Sequence, residues 1–177
     1  MGREEVGERW PGAGVTWPQA SETLACRGLL RSVLLAASSP ASCRAAREAA
    51  RETLRDWQLE VSADDVVLCT SELVGNAVHH ARPVGNSPAP TRDHRLLVSF
   101  QVASGHLFVG VADDDSTPPV LPQSDFPLPG ALLSERGRGL LLVQVVADAV
   151  WWSPRHGGGK SVFCRFDLKD RDKRGKR

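Results

Sequence analysis

The segment SELVGNAVHHA, residues 71–81, places a carboxylate and a carboxamide where both can act on one ligand. At about 100° per residue, Glu72, Asn76 and His80 fall on a single stripe of a helix. Asp65 and His79 flank that stripe. Val66, Leu73, Val74, Ala77, Val78 and Ala81 take the other side, the predicted core face. A carboxamide oxygen is a hard, neutral ligand suited to Mg²⁺, which keeps several waters and takes phosphate oxygens as further ligands. A carboxylate one turn away can polarise a hydroxyl or a water as a general base. An ordinary amphipathic helix with its polar side in solvent fits the same stripe. Two features weigh toward chemistry. Gly75, inside the helix, costs about 1 kcal/mol relative to Ala and marks close packing or function. The chain also has no Ile, no Tyr and only two Asn, a drift away from residues with A/T-rich codons, and Asn76 stands against that drift.

Three further segments carry candidate chemistry. In VGVADDDSTPP, residues 109–119, a strand ends just before Asp113. A buried Asp there can accept a hydrogen bond from an exocyclic amino group such as that of adenine, and cannot pair with a carbonyl at that place. Asp113 to Asp115 also fit a surface turn or a metal site. In ERGRGLLLVQVVADA, residues 135–149, Gly137 and Gly139 precede an apolar helix. The free N–H groups and dipole of a helix start favour phosphate, glycine lets the backbone come close, and Arg136 and Arg138 add positive charge. The spacing is neither that of a Walker loop nor that of a Rossmann turn. Plain loop flexibility would use the same glycines. GGGKSVFCRF, residues 157–166, is a glycine-rich turn into a strand. A hairpin loop accounts for it, although Lys160 could reach a phosphate.

The elements that must hold these residues follow from periodicity and turn signals. Leu24 to Ala36 is apolar with interspersed Arg and is predicted to be a strand, broken at Ser38-Ser39-Pro40. Ala41 to Trp57 is predicted to be a helix. Ser62 and Asp65 form the S-x-x-D cap of a second helix, which runs to Ala81 and stops before Pro83. Residues 82–92 are a loop. His94 to Ala103 and His106 to Ala112 alternate as strands around a Ser104-Gly105 turn. Asp113 to Glu135 is a long loop, of the kind that carries function. Arg138 to Ala149 is a third helix, apolar enough to be expected buried. Val150 to Trp152 begins a strand and Lys160 to Leu168 is the last one. Strands joined by hairpins with helices grouped apart predict an α+β two-layer sandwich. The regular alternation of a doubly wound sheet is missing.

Composition limits the function classes. The 177 residues fit one domain over 23–168, with disordered segments at 1–22 and 169–177. The tail, KDRDKRGKR, has six basic and two acidic residues on a slightly acidic body, which does not resemble a nucleic-acid surface. No apolar run is long enough to cross a membrane and the N-terminus has no leader pattern, so a cytoplasmic protein without membrane contact is expected. Cys26, Cys43, Cys69 and Cys164 lack metal or disulfide spacing and are expected to be free thiols.

The order of the four segments is more specific than any one of them. SELVGNAVHHA, VADDDSTPP, GRGLLLVQVVADAV and GKSVFCRF resemble, in sequence, the N, G1, G2 and G3 boxes of the gyrase and histidine-kinase ATP-binding family. The likeness runs from about Arg44 to Leu168 and is greatest to the small bacterial anti-sigma-factor serine kinases and related single-domain regulators. It implies a two-layer α/β sandwich of the Bergerat type, with a mixed, mostly antiparallel sheet and helices on one face. It implies ATP and Mg²⁺ as cofactors, with Asn76 as the metal ligand, Glu72 as the catalytic base and Asp113 as the reader of adenine. Gly137, Arg138 and Gly139 would lie at the phosphates. Where the family has D-x-G-x-G, this chain has Asp113 followed by Asp114, Asp115, Ser116 and Thr117. The implied partners are an antagonist protein, which receives the phosphate, and a sigma factor; a homodimer is compatible with the likeness. The alternative is a non-catalytic module whose shape, set by nucleotide, is what a partner recognises.

Overall fold

The computed structural model describes residues 28–37, 39, 41–80, 94–119 and 138–168. The elements are β1 (Leu29–Ala36), α1 (Ala41–Asp56), α2 (Ala63–His80), β2 (Arg95–Ala103), β3 (His106–Asp113), α3 (Arg138–Val146), β4 (Ala149–Pro154) and β5 (Lys160–Asp167). The strands form one sheet in the order β1-β2-β3-β5-β4. Every pairing in it is antiparallel, so the expected mixed sheet is antiparallel throughout the described residues. The α+β two-layer sandwich stands. The terminal segments 1–22 and 169–177, the loop 82–92 and the first residues of the predicted opening strand lie outside the described residues.

Local chemistry explains the element boundaries. Ser104 and Gly105 both have positive φ, 52° and 79°, as a two-residue turn needs if it is to follow the twist of β2 and β3. At the start of α2 the Ser62 hydroxyl accepts a hydrogen bond from the Asp65 N–H at 3.3 Å, as the capping pattern predicts. Asp64 and Asp65 lie in its first turn and His79 and His80 in its last, the arrangement that suits the helix dipole. Ser39 caps α1 by accepting from the Ala41 N–H at 3.2 Å. That helix ends at Asp56, and Gln58 follows in a left-handed conformation with φ 51°.

One face of the sheet carries the core. Leu96, Val98 and Phe100 of β2 and Leu107, Val109 and Val111 of β3 are buried with apolar residues of all three helices. Opposite-parity residues face the other way, and there Leu30, Leu34 and Leu97 are exposed. Trp151 stacks on Phe163 at 5.3 Å and meets Phe108 edge-on at 6.2 Å across the same side. The helix α3 departs from expectation. It ends at Val146, Ala149 already belongs to β4, and it is buried on one side only: Val143 is fully buried while Val145 is 75% exposed. A nine-residue helix packed mainly against α2 can cover only the stripe that faces its neighbour, however apolar the rest.

The described cysteines, Cys43, Cys69 and Cys164, are free thiols. Cys69 and Cys164 meet in the core. The hydrogen bond with Cys69, burial and the neighbouring charge raise the Cys164 thiol well above its ordinary value, which keeps it unreactive. Among the described residues no helix is long and apolar enough to cross a membrane.

Candidate functional site

The polar stripe of α2 forms as predicted. Glu72 and Asn76 are both half-buried, and Val66, Leu73, Val74 and Ala77 behind them are buried. The register of α2 is therefore fixed by its apolar side, which leaves the carboxylate and the carboxamide one turn apart at the edge of the helical layer. The helix α3 packs against α2 and brings its first turn to Glu72. A Cβ built on Gly139 would lie 2.5 Å from Glu72 Oε2 and 3.7 Å from Glu72 Cβ, so only glycine leaves the carboxylate where it is. An acidic group beside the start of a helix is stabilised by the free N–H groups there. The same groups favour an incoming phosphate, so the carboxylate and the place predicted for the phosphates adjoin.

Gly139→Ala should therefore displace the Glu72 carboxylate and leave the fold almost intact, because the atom in the way ends a flexible side chain. The expected result is a melting temperature within about 4 °C of wild type, roughly 1 kcal/mol, with an altered response of any activity that depends on Glu72. A larger drop in melting temperature would place the clash in the backbone instead.

Of the two readings of Gly75, close packing or function, the structure removes the first. A Cβ there would meet only Cys43 Sγ, at 4.0 Å, an ordinary van der Waals contact. Close packing does not require this glycine. Gly137 lies outside the described residues, and Arg138 begins α3 with its side chain outside them as well.

Asp113 sits in a second cluster, at the end of β3. It is 2% exposed, and its register partner on β5 is Lys160. Lys160 opens the last strand as predicted, but instead of reaching outward toward a phosphate it is 2% exposed and turned inward. Its ammonium donates to Asp113 Oδ1 at 3.1 Å, to Asp115 Oδ2 at 2.8 Å and to the Asp115 carbonyl at 3.0 Å. An ammonium has three donors, and these acceptors use them all. Burial pushes Asp113 above the ordinary carboxylate range, while the Lys160 hydrogen bond and charge pull it back. Burial acts on Asp115 in the same direction, but Lys160 and the two hydrogen bonds from Thr117 outweigh it and bring Asp115 down to about 2.

The loop after Asp113 is closed by backbone and side chains where the family pattern has glycines. Asp113 Oδ1 accepts from the Asp115 N–H at 2.9 Å, and Asp115 Oδ1 accepts from the Thr117 N–H at 3.0 Å. The Ser116 hydroxyl accepts from the Gly159 N–H at 2.8 Å, and Arg155 donates to the Asp113 carbonyl at 3.2 Å. Ser116, Arg155 and Gly159 are thus parts of the site to which motif reading gave no role, and Lys160 meets carboxylates in place of the phosphate considered for it. A signal for Lys160 was present, since it shares strand parity with Val162, Cys164 and Phe166, all inward and buried. Among the described residues no group of three or more His, Cys, Asp or Glu is arranged to hold a metal ion on its own. Mg²⁺ with a nucleotide needs less from the protein, and the half-buried Asn76 carboxamide, one turn from Glu72 on α2, has the chemistry that demand requires.

A helical layer on one face of an antiparallel sheet, with an acid–amide pair at a helix junction and a buried Asp at a strand end, defines a nucleotide-binding class of α/β sandwich. The chain belongs to the histidine kinase-like ATPase domain family, whose model matches residues 36–166. No curated protein matches it.

Proposed function

We propose that this chain is an ATP-binding regulatory protein that phosphorylates a serine or threonine of a small antagonist protein and binds a sigma factor. The observation that carries the reading is the Glu72–Asn76 pair, one turn apart on α2, with the first turn of α3 held against the carboxylate by Gly139. ATP with Mg²⁺ supplies the transferable phosphoryl group and neutralises part of its charge. The Asn76 amide oxygen would hold the ion. By the resemblance, Gly137, Arg138 and Gly139 would lie at the phosphates, and Asp113 would accept the hydrogen bond of the adenine amino group. Glu72 would take the proton from the acceptor hydroxyl as that oxygen bonds to the γ-phosphorus and the bond from that phosphorus to the bridging oxygen breaks, with ADP leaving. The partners and the serine/threonine specificity come from the resemblance to anti-sigma-factor kinases.

The first test is calorimetric titration with ATP, ADP and GTP, with and without Mg²⁺. The expected result is Mg²⁺-dependent binding of the adenine nucleotides and weaker binding of GTP. Equal affinity for GTP would remove the adenine role of Asp113. Labelled ATP with candidate antagonist proteins then tests transfer. A wild-type chain that binds ATP and transfers nothing would be a nucleotide-dependent binding module.

A further inference from the structure

We propose that Lys160 is a positioning residue that makes Asp113 a reader of amino-bearing bases. This rests on the adenine reading of Asp113 given above and extends it to a residue to which the resemblance gives no role.

The geometry carries the argument. Lys160 is the first residue of β5, opposite Asp113 at the end of β3, and both are 2% exposed. A buried ammonium is costly, and an apolar residue at this inward position would continue the core of Val162, Cys164 and Phe166 without that cost. What the ammonium does instead is fix one carboxylate oxygen. Lys160 Nζ and the Asp115 N–H both converge on Asp113 Oδ1, at 3.1 and 2.9 Å. Oδ2 receives neither of them and remains the oxygen that can take a hydrogen bond from a base.

The charge of Lys160 matters as much as its position. An ionised carboxyl is acceptor-only, whereas a protonated one carries an O–H donor. An acceptor-only oxygen matches the amino group at C6 of adenine and opposes a carbonyl at the same place. A protonated Asp113 could accept from the amino group or donate its O–H to the carbonyl, and so would not discriminate between them. Burial alone drives Asp113 toward the protonated form, and Lys160 opposes this. Without the ammonium, Asp113 also shares its pocket with the like charge of Asp115. Lys160 therefore decides whether the strand end discriminates between an amino group and a carbonyl.

The experiment is calorimetric titration of the full chain with Mg²⁺ and either adenosine or inosine triphosphate, which differ at C6 by an amino group and a carbonyl. The expected wild-type preference for ATP is about tenfold or more, the usual consequence of mismatching a buried hydrogen-bonding group. Lys160→Met should bring the ratio close to one. An unchanged ratio in Lys160→Met overturns the proposal whatever happens to the absolute affinities, because a general structural loss lowers both alike. Should Lys160→Met not fold by circular dichroism, Lys160→Gln keeps hydrogen-bond donors and removes the charge, and the same ratio decides. A wild-type chain that binds both nucleotides equally would instead overturn the adenine reading itself.

Discussion

Glu72→Gln should leave nucleotide affinity at the wild-type level and lower phosphoryl transfer by about 10²–10⁴, the usual effect of removing a general base. Gln has the size of Glu and keeps an oxygen for the first turn of α3, so the packing at Gly139 is preserved. It lacks the charge needed to take a proton. Removing a negative charge near the phosphates also takes away a repulsion, so affinity has no reason to fall. Asn76→Ala should behave differently. It removes the amide proposed to hold the ion, and both Mg²⁺-dependent affinity and transfer should drop together. The pair separates an effect on the reacting hydroxyl from an effect on the bound nucleotide. The measurement is twofold on each variant: nucleotide affinity by calorimetry, and the single-turnover rate to the cognate antagonist protein. Transfer by Glu72→Gln at the wild-type rate would show that Glu72 is not the base.

The parts of this site that sequence revealed are those made by local periodicity. The α2 stripe was legible because a run of apolar residues fixes which side of the helix is buried, and Glu72 and Asn76 then have no choice of side. The Ser62 cap and the Ser104-Gly105 turn were legible because each needs particular residue types at particular offsets. The cluster at Asp113 was not, because its parts come together only through sheet register. Lys160 is 47 residues from Asp113, and their contact depends on β5 lying beside β3 after the chain has passed through α3 and β4. Parity alone could have shown which way Lys160 points but not what it meets. The same limit explains α3. An apolar sequence states what can be buried, while the amount that is buried depends on how many neighbours a short helix finds.

Gly159→Ala should be among the most destabilising single-methyl changes in the described residues, and two other glycines supply its controls. Gly159 has φ +82°, and a Cβ there would run into the Asp113 carbonyl oxygen and lie 2.9 Å from Asp114 Cα. Both obstacles are backbone and neither can swing away. They belong to the strand end that Ser116, Arg155 and Lys160 tie to the β4–β5 turn, so moving one contact loosens the rest. Gly158 has φ +91° but nothing within 4 Å of its Cβ position, so Gly158→Ala isolates the conformational cost, about 1–2 kcal/mol. Gly75 lies in a helix with room for a methyl, so Gly75→Ala should stabilise by up to about 1 kcal/mol. The expected order of melting temperatures is Gly75→Ala above wild type, Gly158→Ala a few degrees below it, and Gly159→Ala lowest. At about 4 °C per kcal/mol for a domain of this size, a loss of roughly 3 kcal/mol puts Gly159→Ala about 12 °C below wild type. Thermal melts followed by circular dichroism check the order. Equal melting of Gly158→Ala and Gly159→Ala would mean that the strand end at Asp113 can retreat from the turn without cost, and that the cluster around Lys160 is not rigid enough to hold a carboxylate in one orientation.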